Sequence, residues 1–205
     1  MTMTTKKEMD EPIESDDTSD RFSLLGSMIL WLFWPSFCAA LVPPELVPHT
    51  AINVILALSG ATLATYFATV GLRGKISAAD IANAALAGGV AIGSTCDIAS
   101  PASSFVIGLV AGTISTFGFA VLQGKVESVL KGIDTCGVMN LHGIPGILGG
   151  VAALFIANGI DKTSQLTGIG ITILLAAGTG FVAGKILTVL GRKSECYVDA
   201  DEFEV

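Results

Sequence analysis

Apolar residues in this chain gather into long runs, separated by short breaks rich in glycine, proline and charge. The first run, Phe22 to Val42, is long enough to cross a bilayer as a helix, which takes about 20 apolar residues. Further runs at Ala51 to Leu72, Asp80 or Ile81 to Ala99, Ala102 to Leu122, Asp134 to Asn158 and Gln165 to Leu190 bring the predicted spans to six. The last exceeds the minimum length, so it tilts or projects beyond the bilayer. Gly74, Pro101, Gly124, Gly132 and Gly159 punctuate the breaks, and Pro43, Pro44 and Pro48 mark a short loop after the first run. Pro35, inside that run, removes the hydrogen bond to the Trp31 carbonyl and predicts a bend; the surrounding WLFWPSF also reads as an interfacial aromatic belt.

These runs predict an all-α polytopic membrane protein. The expected organisation is a disordered acidic cytoplasmic leader over 1–21, a membrane domain over 22–190 (spans near 22–42, 51–72, 80–99, 102–122, 134–158 and 165–190) and an acidic cytoplasmic tail over 191–205. Composition agrees: 51% of residues are hydrophobic and 14% charged, against about 25% charged in soluble domains. The net charge of −7 comes from acids concentrated in the tails and calls for no acidic or nucleic-acid partner. If the spans alternate, Arg21, Arg73, Lys75, Lys125, Lys131, Arg192 and Lys193 share one side while Lys162 stands on the other. The positive-inside rule then puts both termini in the cytoplasm. Lys185 lies close enough to the cytoplasmic end of the final run to snorkel there.

The stretch DTCGVMNLHGIPGILGG, beginning at Asp134, is where chemistry concentrates. His142 lies about 12 Å along a helix started at Asp134, near mid-depth of a hydrocarbon layer about 30 Å thick. A titratable group there is a functional candidate. Thr135, Val138, His142, Pro145, Gly146 and Gly149 fall on one stripe of that helix. The plainer alternative is a histidine that hydrogen-bonds a neighbouring helix among packing glycines. Asp134 at the helix start either caps backbone N–H groups or plays a chemical part. Gly108 with Gly112, Gly146 with Gly150, and Gly180 with Gly184 have the four-residue spacing that lets helices approach closely. Cys38, Cys96, Cys136 and Cys196 are distributed between opposite sides and predict no disulfide framework. No phosphate-binding loop, metal-ligand spacing or nucleophile elbow occurs, so neither cofactor nor metal is expected, and no enzyme.

DTCGVMNLHGIPGILGG closely resembles the second-half signature of the ammonium transporter and Rhesus glycoprotein family. LWLFWPSFCAA, IANAALAGGVAIG, VIGLVAGTISTFGF and ECYVDADEFEV resemble Rhesus-type segments in the same order, from Phe22 to Val205. The resemblance implies a partial ammonium-transporter-like fold: the second of two inverted five-helix repeats plus a long closing helix, in a trimer whose subunits each conduct ammonia. It further implies that His142 is the second of two pore histidines, Phe37 one phenylalanine of the outer gate, Val138 a pore-lining residue and Asp134 a structural acid at the start of the pore helix. Cys38 departs from the family, where asparagine commonly follows the gate phenylalanine. The first repeat, with the partner histidine and second gate phenylalanine, has no counterpart in these residues, and His49, in a proline-flanked loop, does not replace it.

The expected function is passive transmembrane transport of ammonium or ammonia as a half-length Rhesus-type channel chain in the plasma membrane. Its partners would be ammonium or ammonia, the lipid bilayer and family members in a homo- or hetero-trimer. The alternative is a non-conducting scaffold or regulatory subunit of full-length relatives. A membrane hydrolase is a third class, but no nucleophile or second carboxylate is clearly placed to work with His142.

Overall fold

The computed structural model describes residues 17–130, 134 and 137–190. Thr135, Cys136, Lys131, most of the leader and the whole tail lie outside the described residues. Five helical stretches are long and apolar enough to cross a membrane: Asp17–Ala39, Pro44–Arg73, Pro101–Leu130, Met139–Ile156 and Lys162–Val189. Within them, α1 is Asp17–Ala39, and α2 is Val47–Arg73, entered through a 3-10 turn at Pro44–Leu46. The segment predicted as a span over 80–99 is shorter and broken, with α3 at Ala78–Ala84 and α4 at Ala87–Ile92. Then come α5, Pro101–Phe117, running through a π turn at Gly118–Leu122 into α6, Gln123–Leu130. A second π turn, Met139–Gly143, leads into α7, Ile144–Ile156, and α8, Lys162–Val189, ends the described chain.

Local chemistry sets most of these boundaries. Alpha1 begins at Asp17, ahead of the Phe22 boundary that hydropathy suggests, and carries Pro35 inside it. Alpha2 starts with Pro48 in its first turn and stops at Gly74, whose φ of 73° is the left-handed conformation that costs glycine least; the Gly74 N–H bonds the Val70 carbonyl at 2.9 Å. His49 therefore sits in the first turn of a helix, not in a loop, with Nε2 3.0 Å from the Ala99 carbonyl oxygen. Ser77 and Ser100 cap α3 and α5 through their hydroxyls, accepting from the N–H groups of Asp80 at 3.3 Å and Ser103 at 3.1 Å. Asp161 caps α8 by accepting from Thr163 at 2.9 Å and Ser164 at 3.2 Å.

The core is where α2, α4 and α5 cross. Val54, Ala57, Leu58, Leu86, Ala87, Ala91, Ile92, Ile107 and Ala111 form one buried cluster with neighbours from α1 and α7. Small residues make the crossings close: a Cβ on Gly108 would collide with the Ala57 carbonyl, and one on Gly112 with the Ala61 carbonyl. From the other side of the same contact, a Cβ on Gly60 would strike the Phe105 carbonyl. Alpha4 is pressed in as tightly, since Gly88 abuts the Ala57 carbonyl and Gly89 abuts the Trp34 indole. Gly180 and Gly184 differ, because a Cβ on either meets nothing within 4 Å, and no residue of α8 is buried.

An ion pair between the partly exposed Arg73 and the buried Asp80 ties the end of α2 to α3 across the Gly74 turn. The Asp80 carboxylate accepts from Arg73 Nε at 2.7 Å, from the Arg73 terminal nitrogen at 3.0 Å and from the Thr69 hydroxyl at 2.6 Å. Three donors offset the desolvation of a carboxylate whose residue is 1% exposed. Lys185 Nζ lies 5.5 Å over the Phe181 ring on the exposed surface of α8.

Two outcomes follow from this packing. Gly108→Leu and Gly112→Leu force side chains into backbone and should lower stability by about 3 kcal/mol or more each. Gly180→Leu, in open space, should stay within about 0.5 kcal/mol; thermal unfolding in detergent compares the three. Asp161 is held below the ordinary carboxylate range by the Ser164 and Thr163 N–H groups that its carboxylate accepts from. Its capping contribution is therefore complete above the unfolded value of about 3.9 and is lost as pH falls through the lower folded value. Amide exchange at Thr163 and Ser164 should accelerate over that acid window in the wild-type chain and be fast at neutral pH in Asp161→Ala.

Candidate functional site

His142 belongs to the π turn Met139–Gly143, and the way the chain enters this turn positions the ring. Gly137 takes a φ of 63°, and a Cβ there would run into the Phe119 ring, so both conformation and space demand glycine. Ahead of it, the Asp134 carboxylate accepts from the Met139 N–H at 3.0 and 3.3 Å, while the Asp134 N–H donates to Glu127 Oε1 at 2.9 Å. Asp134 is 4% exposed and satisfies backbone donors at the mouth of the helix. The turn is then fastened to α5, where the Ser115 hydroxyl donates to the Asn140 carbonyl at 2.8 Å and Gly118 leaves room for the Asn140 side chain. One π turn thus packs on another, in the kind of helix irregularity often found at functional sites.

Alpha7 continues from the turn against α4 and α8. A Cβ on Gly149 would meet the Ala91 carbonyl, whereas Gly146 is looser, with Val90 Cγ1 4.0 Å from such an atom. At Gly150 the neighbours are Ile169 at 3.1 Å and Gln165, whose side-chain amide donates to the Gly150 carbonyl at 2.9 Å.

The decisive neighbour of His142 is Trp34, which sequence reasoning left within a possible aromatic belt. The Trp34 and His142 rings stack with centroids 6.4 Å apart and planes inclined by 18°. Phe37, one turn further along α1, meets Trp34 at 5.1 Å and 51°. Trp34 itself is 8% exposed, seated on Gly89, so it is a core residue and not an interfacial anchor. Trp31 is turned inward too, its indole N–H donating to the Thr62 hydroxyl at 3.3 Å. The arrangement is a short file of rings, Phe37, Trp34 and His142, bridging α1 and the π turn. Phe37 is 47% and Val138 52% exposed, and His142 is exposed too, so all three present surface that the described chain leaves uncovered. The signal that could have revealed Trp34 is Gly88-Gly89, since only a side-chain-free surface accepts an indole at that distance.

Chemically, the site offers one imidazole on an apolar wall. Among the described residues no three His, Cys, Asp or Glu side chains cluster as a metal site would. A groove of about 470 Å³ between α1, α2 and α3, lined by Leu24, Met28, Trp31, Leu63 and Ile81, is apolar and includes neither His142 nor Phe37.

A family profile, the Ammonium Transporter Family, matches residues 1–204. The chain belongs to the ammonium transporter family. Ammonium transporter Rh type A from Bos taurus is 37% identical over 97% of this chain and 50% of its own length. Ammonium transporter Rh type B from Danio rerio is 36% identical over 91% of this chain and 48% of its own. This ammonium transporter family chain thus spans about half the length of the curated relatives it matches. Among solved structures, that of Nitrosomonas europaea Rh50, described in connection with conduction by the Rhesus protein family of channels, superposes with a TM-score of 0.92. Its identity is 57%, over 98% of this chain and 53% of that one. A Sensor Amt Protein shares the fold at a TM-score of 0.72 and 21% identity. An ammonium-transporter fold and a multi-pass membrane protein are therefore shown together with the Rhesus-type resemblance.

The ring file makes a stability prediction within this ammonium transporter family chain. Trp34→Ala removes a buried indole and its contacts with Phe37, His142 and Gly89, and should cost about 3–5 kcal/mol in detergent unfolding. Trp34→Phe keeps a ring on Gly89 and should recover at least half of that loss.

Proposed function

We propose that this chain supplies one half of a pore that passes ammonia across a membrane, with His142 as its polar contact and Phe37 as part of its outer constriction. The observation that carries the reading is the stack of His142 on Trp34 beside Phe37, on an uncovered face of a chain in the ammonium transporter family. Ammonium entering an apolar passage loses its hydration at a cost of many kcal/mol, whereas neutral ammonia loses far less. An imidazole that both donates and accepts hydrogen bonds at a single position suits the neutral species, and apolar walls such as Val138 exclude hydrated ions. Stacking on a buried indole fixes the plane of the ring, so the donor and acceptor point along a constant direction. Asp134 stands outside the passage in this reading and holds the helix mouth. Gly108, Gly112, Gly146 and Gly150 serve helix packing.

The companion surface belongs to a first repeat, and assembly with family members as a trimer in the plasma membrane completes the proposal. Basic residues at one end of the helices, Arg21, Arg73, Lys75 and Lys125, support a cytoplasmic position for both termini. A second reading, a non-conducting partner of full-length relatives, draws on α8, which buries no residue within this chain and, apart from the contacts of Gln165 and Ile169 with Gly150, leaves its surface open for assembly.

Ammonium uptake by proteoliposomes distinguishes these readings. The chain alone should give no uptake above empty vesicles. Reconstituted with a polypeptide that supplies the first repeat, it should conduct, and His142→Ala should reduce that uptake about tenfold, or ~1.4 kcal/mol of barrier. Unchanged uptake in His142→Ala sinks the pore role, and His142-dependent uptake by the chain alone sinks the half-pore. Co-purification with a full-length relative whose uptake it alters, without dependence on His142, would favour the second reading.

A further inference from the structure

His142 sits in a turn whose own hydrogen bonding leaves one backbone carbonyl over. Within Met139–Gly143 the bonds follow the π pattern, and the Ile144 N–H donates to the Met139 carbonyl. In an ordinary α-helix that N–H would serve the Asn140 carbonyl instead. The next residue is Pro145, which has no N–H, so the π pattern cannot supply Asn140 either. Asn140 is 0% exposed, and a carbonyl buried there needs a donor from elsewhere in the fold. The Ser115 hydroxyl provides it at 2.8 Å, from a residue of α5 that is itself 0% exposed. The Asn140 side-chain amide finds no hydrogen-bond partner among the described residues and lies against Gly118. The polar tie between the turn and α5 therefore runs through the Asn140 backbone.

We propose that Ser115 is a positioning residue for His142, its hydroxyl holding the turn in the π register by taking up the carbonyl that this register and Pro145 leave unpaired. Without that hydroxyl the carbonyl regains a partner by drawing the Ile144 N–H to itself, which returns the turn to the α register. A slip of one residue rotates the chain ahead of it by about 100° relative to α7. His142 stands between the two points that fix it, Asn140 on the Ser115 side and Ile144 at the start of α7. Its ring stacks on Trp34 only while the angle between those points is kept, and the slip carries it off the indole. Ser115 thus acts on the imidazole through the backbone. The register itself requires nothing of transport; its consequence for uptake rests on the pore reading of His142.

The test records imidazole resonances of the full chain in detergent, made with isotope-labelled histidine. The sequence holds two histidines, so two rings are seen, and His142→Gln assigns them. Ser115→Ala should shift the His142 ring resonances, because they lose the ring current of Trp34. Those of His49, held at Ala99 in the first turn of α2, should stay in place. A serine that only adds stability would lower the unfolding temperature and leave both rings unmoved in the folded chain. That result overturns the proposal, as does an equal displacement of both rings. Should Ser115→Ala fail to fold, Ser115→Cys is measured in its place, since it keeps the volume and offers only a weak donor. His142 should then move in the same sense while His49 does not, and an unmoved His142 overturns the proposal there too. In proteoliposomes that also hold a polypeptide supplying the first repeat, Ser115→Ala should lower ammonium uptake about fivefold. If the His142 ring shifts while uptake is unchanged, the positioning role stands and the pore role of His142 falls.

Discussion

The contact between the backbones of α2 and α5 governs how everything else can sit. In a hydrocarbon solvent no hydrophobic force pulls two helices together, because lipid is as apolar as leucine; close dispersion contacts must supply the attraction. Gly108 and Gly112 let α5 settle onto Ala57 and Ala61, while Gly60 removes the matching obstacle on α2. At that separation many weak atom pairs act together, and the crossing becomes a rigid reference for the chain. Gly88 rests on the same Ala57 carbonyl, so α4 is positioned by the same surface.

From that reference the ring file follows by a series of contacts. Alpha4 presents Gly89 to Trp34, and Trp34 in turn supports His142 on one side and Phe37 on the other. A second route reaches the same imidazole through Ser115 on α5, which holds the Asn140 carbonyl. His142 is thus oriented from two helices whose own relation is fixed by the glycine contact. Asp134 and Gly137 complete the support by shaping the entry to the turn.

Long apolar runs made most of the helical content legible in the sequence, because crossing a bilayer imposes a length that hydropathy alone reveals. His142 was legible for the related reason that an ionisable ring is costly in lipid and so stands out against its surroundings. The segment over 80–99 reads in the sequence as one apolar run, which does not reveal the break between α3 and α4. Its apolar character is real, but Gly88, Gly89 and Gly93 serve close approach and turning, and composition does not distinguish those uses from simple helix packing. Pairings across the fold were hidden for a more general reason. Arg73 with Asp80 depends on the Gly74 reversal, and His49 with Ala99 on α2 meeting a distant loop. Spacing along the chain carries no trace of such encounters. Trp34 was visible as an aromatic but not as a support, since that role is defined by the glycine beneath it.

Alpha8 differs in kind from the rest of the chain. It runs from Lys162 to Val189 with no side chain buried, so tertiary contacts contribute almost nothing to keeping it helical. What enforces its form is the medium: a peptide unit that lacks water must close its own hydrogen bonds, and the helix does this within a single segment. Its shape is consequently owed to solvent, while within the chain its placement hangs on the small patch where Gln165 and Ile169 meet Gly150, so that its lean beyond that point is decided by whatever apolar surface comes to rest along it.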